Sequence, residues 1–449
     1  MIKRLFPAML MLFGWLLSSF TLSAEQAEAL ETNARNSLQS LIDRTTAGGE
    51  LTIPPGQYEG PIIINKPIAL QGNGNVTITG QGGQPVITVN ADRVTMTGIH
   101  VVDELNPPDI PAIVLQGSGH VLEQLQIQTS GSGIQLRKAH KSLLRELRIS
   151  GLGNQSGSGK QLFRRGNGID LWGSHDNRIV SCTISGMQDG IYLESSEANR
   201  ILDNTVSDSR YATHLMFTKD TIVKGNVGIR NVTGLMVMGT NRTQIEQNRY
   251  YKQSQNVNSQ GLLLYDVKNA VVRDNHMEGN RVGIYMELSS SNIITDNTVA
   301  FNFIGLQAIE SSRNKLVRNS FISNVIQAQA KQSGGNELDG NYWDDTQNID
   351  LQGDGQSDLP YRISPFFLTL TNAAPSFQLF FGSPGIVFLE SLFHAGTDQW
   401  LTDAAPLIRP AADPFESVST HHRSVGFIFS FLLFLISILI ITYWGVLRK

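Results

Sequence analysis

Cysteine is almost absent from this chain of 449 residues, in which Cys182 is the single example. One cysteine excludes an intramolecular disulfide, so no covalent cross-link of that kind stabilises the fold. Stability must therefore come from the burial of a hydrophobic core, and the chain is long enough to bury a large one.

Charge is also scarce, since Asp, Glu, Lys and Arg make up only 16 % of the residues and the net charge is −4. A small net charge spread along the sequence argues against a nucleic-acid partner. Glycine, asparagine and serine are abundant instead, with 42 glycines alone. Such a composition is typical of a β-rich, turn-rich repeat protein rather than a helical one.

The two ends of the chain carry long hydrophobic runs. Residues 1–24 have a basic start, an apolar stretch and small final residues, the layout of a secretory signal peptide, although an uncleaved membrane anchor would look similar. Residues 425–447 contain no charged side chain and are long enough to cross a bilayer. Arg448 and Lys449 follow, which places the end of the chain in the cytoplasm. The ends predict an exported protein tethered by one C-terminal helix.

A repeat of 22 residues dominates the middle of the chain. The runs GIDLW, GIYLE, ATHLM and GLMVM begin at positions 168, 190, 212 and 234, and after one step of 27 the series continues at 261, 283 and 305. Asparagines form a second series in the same register, at positions 204, 226, 248, 275, 297, 319 and 341. This period predicts an all-β fold, a right-handed parallel β-helix with about 22 residues per coil.

Stacked asparagines can pass side-chain amide hydrogen bonds from coil to coil. Cys182 lies 22 residues before Asn204, in the register of the asparagine series. We therefore expect Cys182 to be a small buried residue that fills one rung rather than a reactive thiol.

The β-helix is expected to span residues 51–341, between two closing segments. Residues 25–50 predict a short helix that covers the N-terminal end of the core. Residues 342–365 form an Asp-rich closing loop, and residues 366–424 an apolar, proline-interrupted tail and linker that packs against the solenoid or a partner. Residues 151–167 are too polar and glycine-rich for a coil and are expected to leave the stack. The N-terminal helix is indicated by apolar residues at helical spacing, which are Leu30, Ala34, Leu38, Leu41 and Ile42.

Alternation along each strand predicts which side chains face outward. Neighbouring side chains point to opposite faces, and in the pattern G-I-x-L-x the second and fourth positions are nearly all apolar, so they face the core. The third and fifth positions then place His214 and Met216 outward on one strand and Met236 and Met238 outward on the next. A histidine with methionine thioethers is a soft ligand set suited to Cu(I).

The same outward positions also carry aromatic and apolar residues, which are Trp172, Tyr192, Leu263, Tyr265 and Tyr285. A stripe of this kind is typical of a protein-docking face. Docking, a Cu(I) site and a groove for an extended ligand are therefore three interpretations that the residues leave open.

An enzyme is the alternative function, because parallel β-helices are often polysaccharide lyases, hydrolases or epimerases. Such chemistry needs paired carboxylates or a cationic base on adjacent rungs. Asp170 and Glu194 occupy different outward positions without a partner acid directly above either, while His175 and Asp176 occupy a turn. The residues favour a protein that is not an enzyme, with a membrane-tethered carbohydrate-active enzyme as the alternative.

Three aspartates in the closing loop, Asp350, Asp354 and Asp358, are spaced by four with glycines between them. Oxygen ligands on a tight loop could bind Ca²⁺, but this spacing is not that of an EF-hand. A hydrogen-bonded turn that closes the solenoid is the favoured interpretation.

The segment GNELDGNYWDDTQNIDLQGDGQSDLPYRISP, residues 335–365, resembles the NosD family, as do the coils RYATHLMFTKD and GLMVMGTN. Members of this family are exported β-helical proteins required to mature nitrous oxide reductase. The likeness runs from PPGQY, which starts at Pro54, to SPGIVFLE, which ends at Glu390.

The resemblance implies a non-catalytic periplasmic accessory role in assembling the copper–sulfide cluster of nitrous oxide reductase. It implies three partners: an ABC transporter made of an ATPase and a membrane permease, a copper-binding lipoprotein, and the reductase as client. The resemblance favours the copper interpretation of the His–Met face but supplies no ligand residues of its own. The C-terminal helix, anchored in the inner membrane, would hold the solenoid beside the permease at high effective concentration.

Overall fold

The computed structural model describes residues 37–152, 165–253, 256, 259–380, 383–392 and 400–411. The predicted signal peptide, most of the predicted excursion at 151–167 and the predicted membrane span at 425–447 lie outside these residues. Within them, none of the helices combines the length and the apolar character that crossing a membrane requires.

The chain winds into a parallel β-solenoid of about 13 turns, the fold that the 22-residue repeat predicts. Each regular winding contributes two short strands and one longer strand. The longer strands stack into a twelve-strand sheet, called sheet 1 below. The strands of sheet 1 are Ile62–Ile64, Ile87–Val89, Pro111–Ser118, Ser132–His140, Ile169–Trp172, Asp189–Glu194, Tyr211–Met216, Thr233–Met238, Gln260–Tyr265, Val282–Glu287, Ile304–Ile309 and Ile326–Lys331.

The remaining strands form a 26-strand sheet, sheet 2, that supplies the other walls of the solenoid. Its strands are Glu50–Thr52, Gly56–Glu59, Ile68–Thr79, Val94–Asp103, Val121–Glu123, Gln126–Thr129, Leu143–Arg145, Arg148–Gly151, Arg178–Val180, Thr183–Ser185, Arg200–Leu202, Thr205–Ser207, Ile222–Lys224, Val227–Ile229, Gln244–Glu246, Arg249–Tyr251, Val271–Arg273, His276–Glu278, Ile293–Thr295, Thr298–Ala300, Lys315–Val317, Ser320–Ile322, Glu337–Asp339, Tyr342–Trp343, Tyr361–Ile363 and Leu401–Asp403.

The windings lie directly above one another in the repeat region. Ile169 pairs with Ile191, Ile191 with Thr213, and Thr213 with Leu235, each one repeat apart. The 27-residue step keeps the same register, since Leu235 pairs with Leu262. Positions that are far apart in sequence therefore become direct neighbours along one face of sheet 1.

The core follows from the alternation in each strand. Ile191, Leu193, Leu235 and Val237 are completely buried and belong to one continuous hydrophobic cluster. Most of their counterparts in the other coils are buried in the same cluster. Full burial of one such side chain stabilises the fold by about 1.5–3 kcal/mol. The stack is thus held by many equivalent contacts rather than by a few special ones.

Ladders of side-chain amides line the turns. In the predicted ladder, Asn204 Nδ2 donates to Asn226 Oδ1 at 2.9 Å, and the same bond recurs up to Asn341. Cys182 occupies the preceding rung, where it is buried and its backbone N–H donates to Asn204 Oδ1. A second ladder, which the repeat pattern did not reveal, runs through Asn231, Gln253, Asn280, Asn302 and Asn324.

Helix α1, Leu38–Arg44, covers the first strand of sheet 1. Leu38 and Ile42 are buried in the main core. The side-chain amide of Gln39 accepts a hydrogen bond from the backbone N–H of Ile63 at 2.8 Å and donates one to its carbonyl at 3.0 Å. Gln39 thus provides the bonds that a neighbouring strand would make at this edge.

The opposite end is closed by the antiparallel pair Tyr361–Ile363 and Leu401–Asp403. The buried ring of Trp343 stacks between Phe321 and Tyr361, with ring centroids 4.3 and 4.4 Å apart. These contacts seal the last winding of the core.

The Asp-rich loop folds as hydrogen-bonded turns, the interpretation favoured from the sequence. The carboxylate of Asp350 accepts from the backbone N–H groups of Gly353, Asp354 and Gly355, and Asp358 accepts from Leu351. The aspartates therefore satisfy backbone donors of their own loop.

The described part of the C-terminal tail packs on the solenoid. Helix α2, Phe366–Ala373, is followed by a 3₁₀ helix at Pro375–Phe380 and by helix α3, Pro384–Ser391. Phe367 and Ile386 are buried in a second hydrophobic cluster with Val282, Ile304 and Ile326. This cluster covers one edge of the last strands of sheet 1.

Candidate metal centre

The four predicted ligands lie on two adjacent strands of sheet 1, Tyr211–Met216 and Thr233–Met238. His214 pairs directly with Met236, and Met216 pairs directly with Met238. Adjacent strands are about 4.8 Å apart, and positions two residues apart along a strand are about 6.5 Å apart. The structure therefore brings one imidazole and three thioethers into a two-by-two arrangement.

These side chains belong to the outer face, but two of them are shielded from solvent. Leu235 and Val237, which flank Met236, are in the main core, whereas Met236 is 7 % exposed and does not join that core cluster. His214 is 8 % exposed, while Met216 and Met238 are half-buried. The sequence pattern did not predict the burial of His214, because the side chains that cover it are Tyr192 on the neighbouring rung and Tyr211 at the start of the same strand.

Two tyrosines enclose the imidazole of His214. The ring of Tyr192 lies one rung below, with its centroid 4.9 Å from that of His214, and the ring of Tyr211 packs edge-on at 5.1 Å. Low exposure to water strengthens electrostatic contacts around the imidazole and disfavours strongly hydrated ions. These surroundings therefore suit a soft, weakly hydrated cation better than a hard one.

An ion pair that sequence reasoning missed holds the other side of the imidazole. Asp189 Oδ2 lies 3.0 Å from His214 Nδ1, and Arg210 binds the same carboxylate through two bonds of 2.8 and 2.7 Å. The side chain of Asp189 is only 1 % exposed. Burial alone would raise the pKa of Asp189, but the hydrogen bonds from His214 and Arg210 outweigh it and lower the pKa, so the carboxylate is ionised.

The ionised carboxylate fixes which nitrogen of His214 carries the proton. A carboxylate only accepts hydrogen bonds, so Nδ1 must be the donor, and in the neutral imidazole Nε2 then presents its lone pair. Nε2 is buried and has no hydrogen-bond partner within the described chain. A buried nitrogen lone pair on a residue that pairs in register with a methionine fits a Cu(I) ligand.

Two other histidines show the opposite arrangement. His140 and His175 stack with centroids 5.1 Å apart, and the Nδ1 atom of each accepts a backbone N–H, from His175 and Glu197 respectively. Nδ1 is therefore the acceptor, and the proton of each neutral ring is on Nε2. These rings do not offer a free Nε2 lone pair.

Met216 is held by contacts on the outer face. The hydroxyl of Tyr192 lies 2.9 Å from Glu194 Oε2 and 3.7 Å from the sulfur of Met216. The hydroxyl hydrogen bond to Glu194 positions the tyrosine, which in turn packs against the thioether. Among the described residues, no group of three or more His, Cys, Asp or Glu side chains is arranged to hold a metal ion, so a metal on this face depends on the methionines.

The residues predicted to form a docking surface differ in exposure. Trp172 is 45 % exposed, whereas Tyr192, Leu263, Tyr265 and Tyr285 are half-buried. Tyr285 packs against the second hydrophobic cluster beneath the C-terminal helices. The segment that follows the solenoid therefore covers part of the outward stripe near Tyr285.

The part of the chain that carries this face matches a known protein family. Residues 152–353 match the family described as periplasmic copper-binding protein (NosD). The match confirms the NosD resemblance. His214, the three methionines, Asp189 and Arg210 all lie inside the matched residues. The NosD match thus covers both the candidate site and the groups that support it.

Two solved structures are similar to this chain at low sequence identity. A family 28 exopolygalacturonase of Yersinia enterocolitica has a TM-score of 0.51 and 9 % identity, over 67 % of this chain and 74 % of that chain. The A-module of the Azotobacter vinelandii mannuronan C-5 epimerase AlgE6 has a TM-score of 0.48 and 15 % identity, over 68 % and 88 %. At such identity the exopolygalacturonase shows a shared solenoid fold and nothing about activity. The chain matches none of the curated protein sequences.

Proposed function

We propose that this chain is a non-catalytic periplasmic accessory protein that binds Cu(I) as cargo at His214, Met216, Met236 and Met238. The observation that carries the proposal is the buried, unpartnered Nε2 of His214. His214 pairs in register with Met236, within the part of the chain that matches the NosD family. A neutral imidazole with neutral thioethers is a soft donor set, which suits monovalent copper.

The destination of the copper is proposed to be the copper–sulfide cluster of nitrous oxide reductase. The proposed partners are an ABC transporter with its ATPase and permease, a copper-binding lipoprotein that delivers the metal, and the reductase itself. Anchoring by residues 425–447 in the inner membrane would keep the solenoid next to the permease. The resemblance to NosD supports this assignment.

A non-catalytic role is supported by the contacts of two aspartates, Asp170 and Asp189. Asp170 is bound to Arg137 Nη1 at 2.8 Å and to Asn167 Nδ2 at 3.1 Å, and Asp189 is bound to Arg210 and His214. The hydrogen bonds from His214 and Arg210 lower the pKa of Asp189, which makes this carboxylate a poor general acid.

The site is tested by anaerobic Cu(I) titration of the full chain in nanodiscs, in competition with a chromophoric Cu(I) chelator. His214→Ala removes a direct ligand and should weaken binding by at least the roughly ten- to hundredfold that loss of a ligand-supporting group costs, and Met236→Ala should also weaken it. His175→Ala is the matched control, because its Nδ1 accepts a backbone N–H. Equal binding by the wild type and His214→Ala would reject the site.

The role is tested in cells. Deleting the gene should leave nitrous oxide reductase without its copper–sulfide cluster, measured as copper and sulfide per reductase. An unchanged cluster content would reject the role, and turnover of uronate polymers by the purified chain would instead favour the carbohydrate-active enzyme.

A further inference from the structure

The ion pair Asp189–Arg210 lies behind His214, on the side away from the free nitrogen. We infer that Asp189 is a positioning residue that orients His214 towards the metal, and that Arg210 makes the site selective for a monovalent cation over divalent ones. This inference rests on the proposed copper site and names what determines its geometry and its specificity.

The orienting role follows from the bonds around the carboxylate. Asp189 lies on the strand below His214 and is fixed by Arg210 through both oxygens. Its Oδ2 atom receives the Nδ1–H of His214, which sets both the tautomer and the direction of the ring. A hydrogen bond that a ligating histidine donates to a carboxylate is a known way to orient a metal ligand and to raise its basicity.

The selectivity follows from the charge. The carboxylate of Asp189 is buried, and a buried anion one imidazole away from a cation would attract a divalent ion more strongly than a monovalent one. Arg210 pairs with that carboxylate through two hydrogen bonds, so the pair is neutral as a whole. The donors that remain are neutral, and they discriminate by softness instead of charge.

A second ion pair of the same kind, Asp208–Arg230, is exposed. Asp208 and Arg230 form the same two-bonded contact at 2.9 and 2.8 Å one winding further along the chain. Both side chains are about half exposed, and no hydrogen bond to a histidine is formed by Asp208 within the described residues. Asp208 therefore provides a matched control for Asp189.

The orientation is tested first on the wild-type full chain, in nanodiscs and free of metal. Selective ¹⁵N-histidine labelling with solid-state NMR reports the tautomer, and the His214 signal is assigned by its loss in His214→Ala. We expect His214 to be protonated at Nδ1 and bare at Nε2. A signal protonated at Nε2 would overturn the orienting role, whatever the variants do.

The variants then separate orientation from stability. Asp189→Asn should lose the Nδ1-protonated signal and bind Cu(I) ten- to hundredfold more weakly, whereas Asp208→Asn should match the wild type in both. Arg210→Gln should raise the affinity for Zn²⁺ relative to Cu(I) at least tenfold, because the buried carboxylate becomes uncompensated. The thermal midpoint of each variant identifies those that fail to fold, and Arg210→Lys, which keeps the charge, should retain the wild-type preference.

The outcomes distinguish the two proposals. Loss of binding in His214→Ala together with unchanged binding in Asp189→Asn would overturn the positioning role alone. An unchanged Zn²⁺ to Cu(I) ratio in Arg210→Gln would overturn the selectivity. A wild type that does not bind Cu(I) would instead remove the proposed function.

Discussion

Asp403 takes the place of an asparagine at the end of the longest amide ladder, where its Oδ2 atom accepts from Asn341 Nδ2 at 3.1 Å and from the Asn341 backbone N–H at 2.9 Å. Its carboxylate also receives the backbone N–H of Gly340 and the indole N–H of Trp343. The buried side chain of Asp403 thus accepts the hydrogen bonds that a further coil would accept if the stack continued.

Asp403→Ala should therefore destabilise the solenoid strongly. The substitution leaves the donors of Gly340, Asn341 and Trp343 without this acceptor, and each unsatisfied buried donor costs about 1–3 kcal/mol. We expect the free energy of unfolding to fall by about 3 kcal/mol or more, measured by urea denaturation followed by circular dichroism.

The control for Asp403 is Asp208→Ala, which removes an exposed ion pair and should cost no more than about 1 kcal/mol. A similar loss in both variants would show that Asp403 is not a special capping group.

Tyr250→Phe should stabilise the protein. Tyr250 is 1 % exposed, and its hydroxyl has no hydrogen-bond partner in the described chain. Burial also raises the pKa of its hydroxyl well above the ordinary value. Removing an unpaired buried hydroxyl should raise the free energy of unfolding by about 1 kcal/mol, measured as an increase in the urea midpoint.

Tyr285→Phe is the matched comparison for Tyr250, because the Tyr285 hydroxyl donates to Glu287 at 2.6 Å. Loss of that bond should lower stability by about 1 kcal/mol. Destabilisation by Tyr250→Phe would mean that its hydroxyl has a partner after all.

Gly234→Ala should destabilise the winding that carries Met236. A Cβ atom at Gly234 would lie 2.4 Å from the carbonyl oxygen of Gly261 and 2.5 Å from the ring of Tyr250. Because the first obstacle is backbone, the strand must move, at a cost of about 3 kcal/mol. The thermal midpoint checks this, with Gly334→Ala as a control in which the added Cβ meets nothing within 4 Å.

Cys182 should resist thiol reagents in the folded protein. Burial raises the pKa of the thiol to about 12, whereas an exposed cysteine titrates near about 8.5. Labelling by Ellman's reagent should stay slow from pH 7 to 9 in the native state and rise steeply with pH in guanidinium.

The same shift in pKa has a consequence for stability. The pKa of the Cys182 thiol is higher in the folded state than in the unfolded state. The thiol therefore does not lower the free energy of unfolding below about pH 8.5, and it lowers this free energy progressively as the pH rises towards 12. Fast native labelling of Cys182 at pH 8 would contradict the buried position.

The sequence was informative where one feature recurs at every coil. The spacing of 22 predicted that Met236 would pair with His214, because a solenoid converts a fixed period into a fixed register. The alternation in G-I-x-L-x likewise predicted the burial of Leu235 and Val237. These predictions needed no knowledge of the contacts between individual side chains.

The supporting groups of the site were missed for a physical reason. Asp189 lies before the glycine of its coil, outside the alternating positions that were compared, and it reaches His214 only across a rung. The second ladder was missed because Gln253 interrupts the asparagines and falls in the 27-residue step. Contacts between different positions of neighbouring coils are set by side-chain geometry, which a periodic pattern does not contain.

The amide of Gln39 against Ile63 has a further consequence for contacts between molecules at the N-terminal end of the solenoid. Since both backbone groups of Ile63 are already engaged by this side chain, a second molecule has no free template there on which to dock its own last coil. Gln39 thereby opposes the end-to-end pairing of two solenoids at this position of the edge strand.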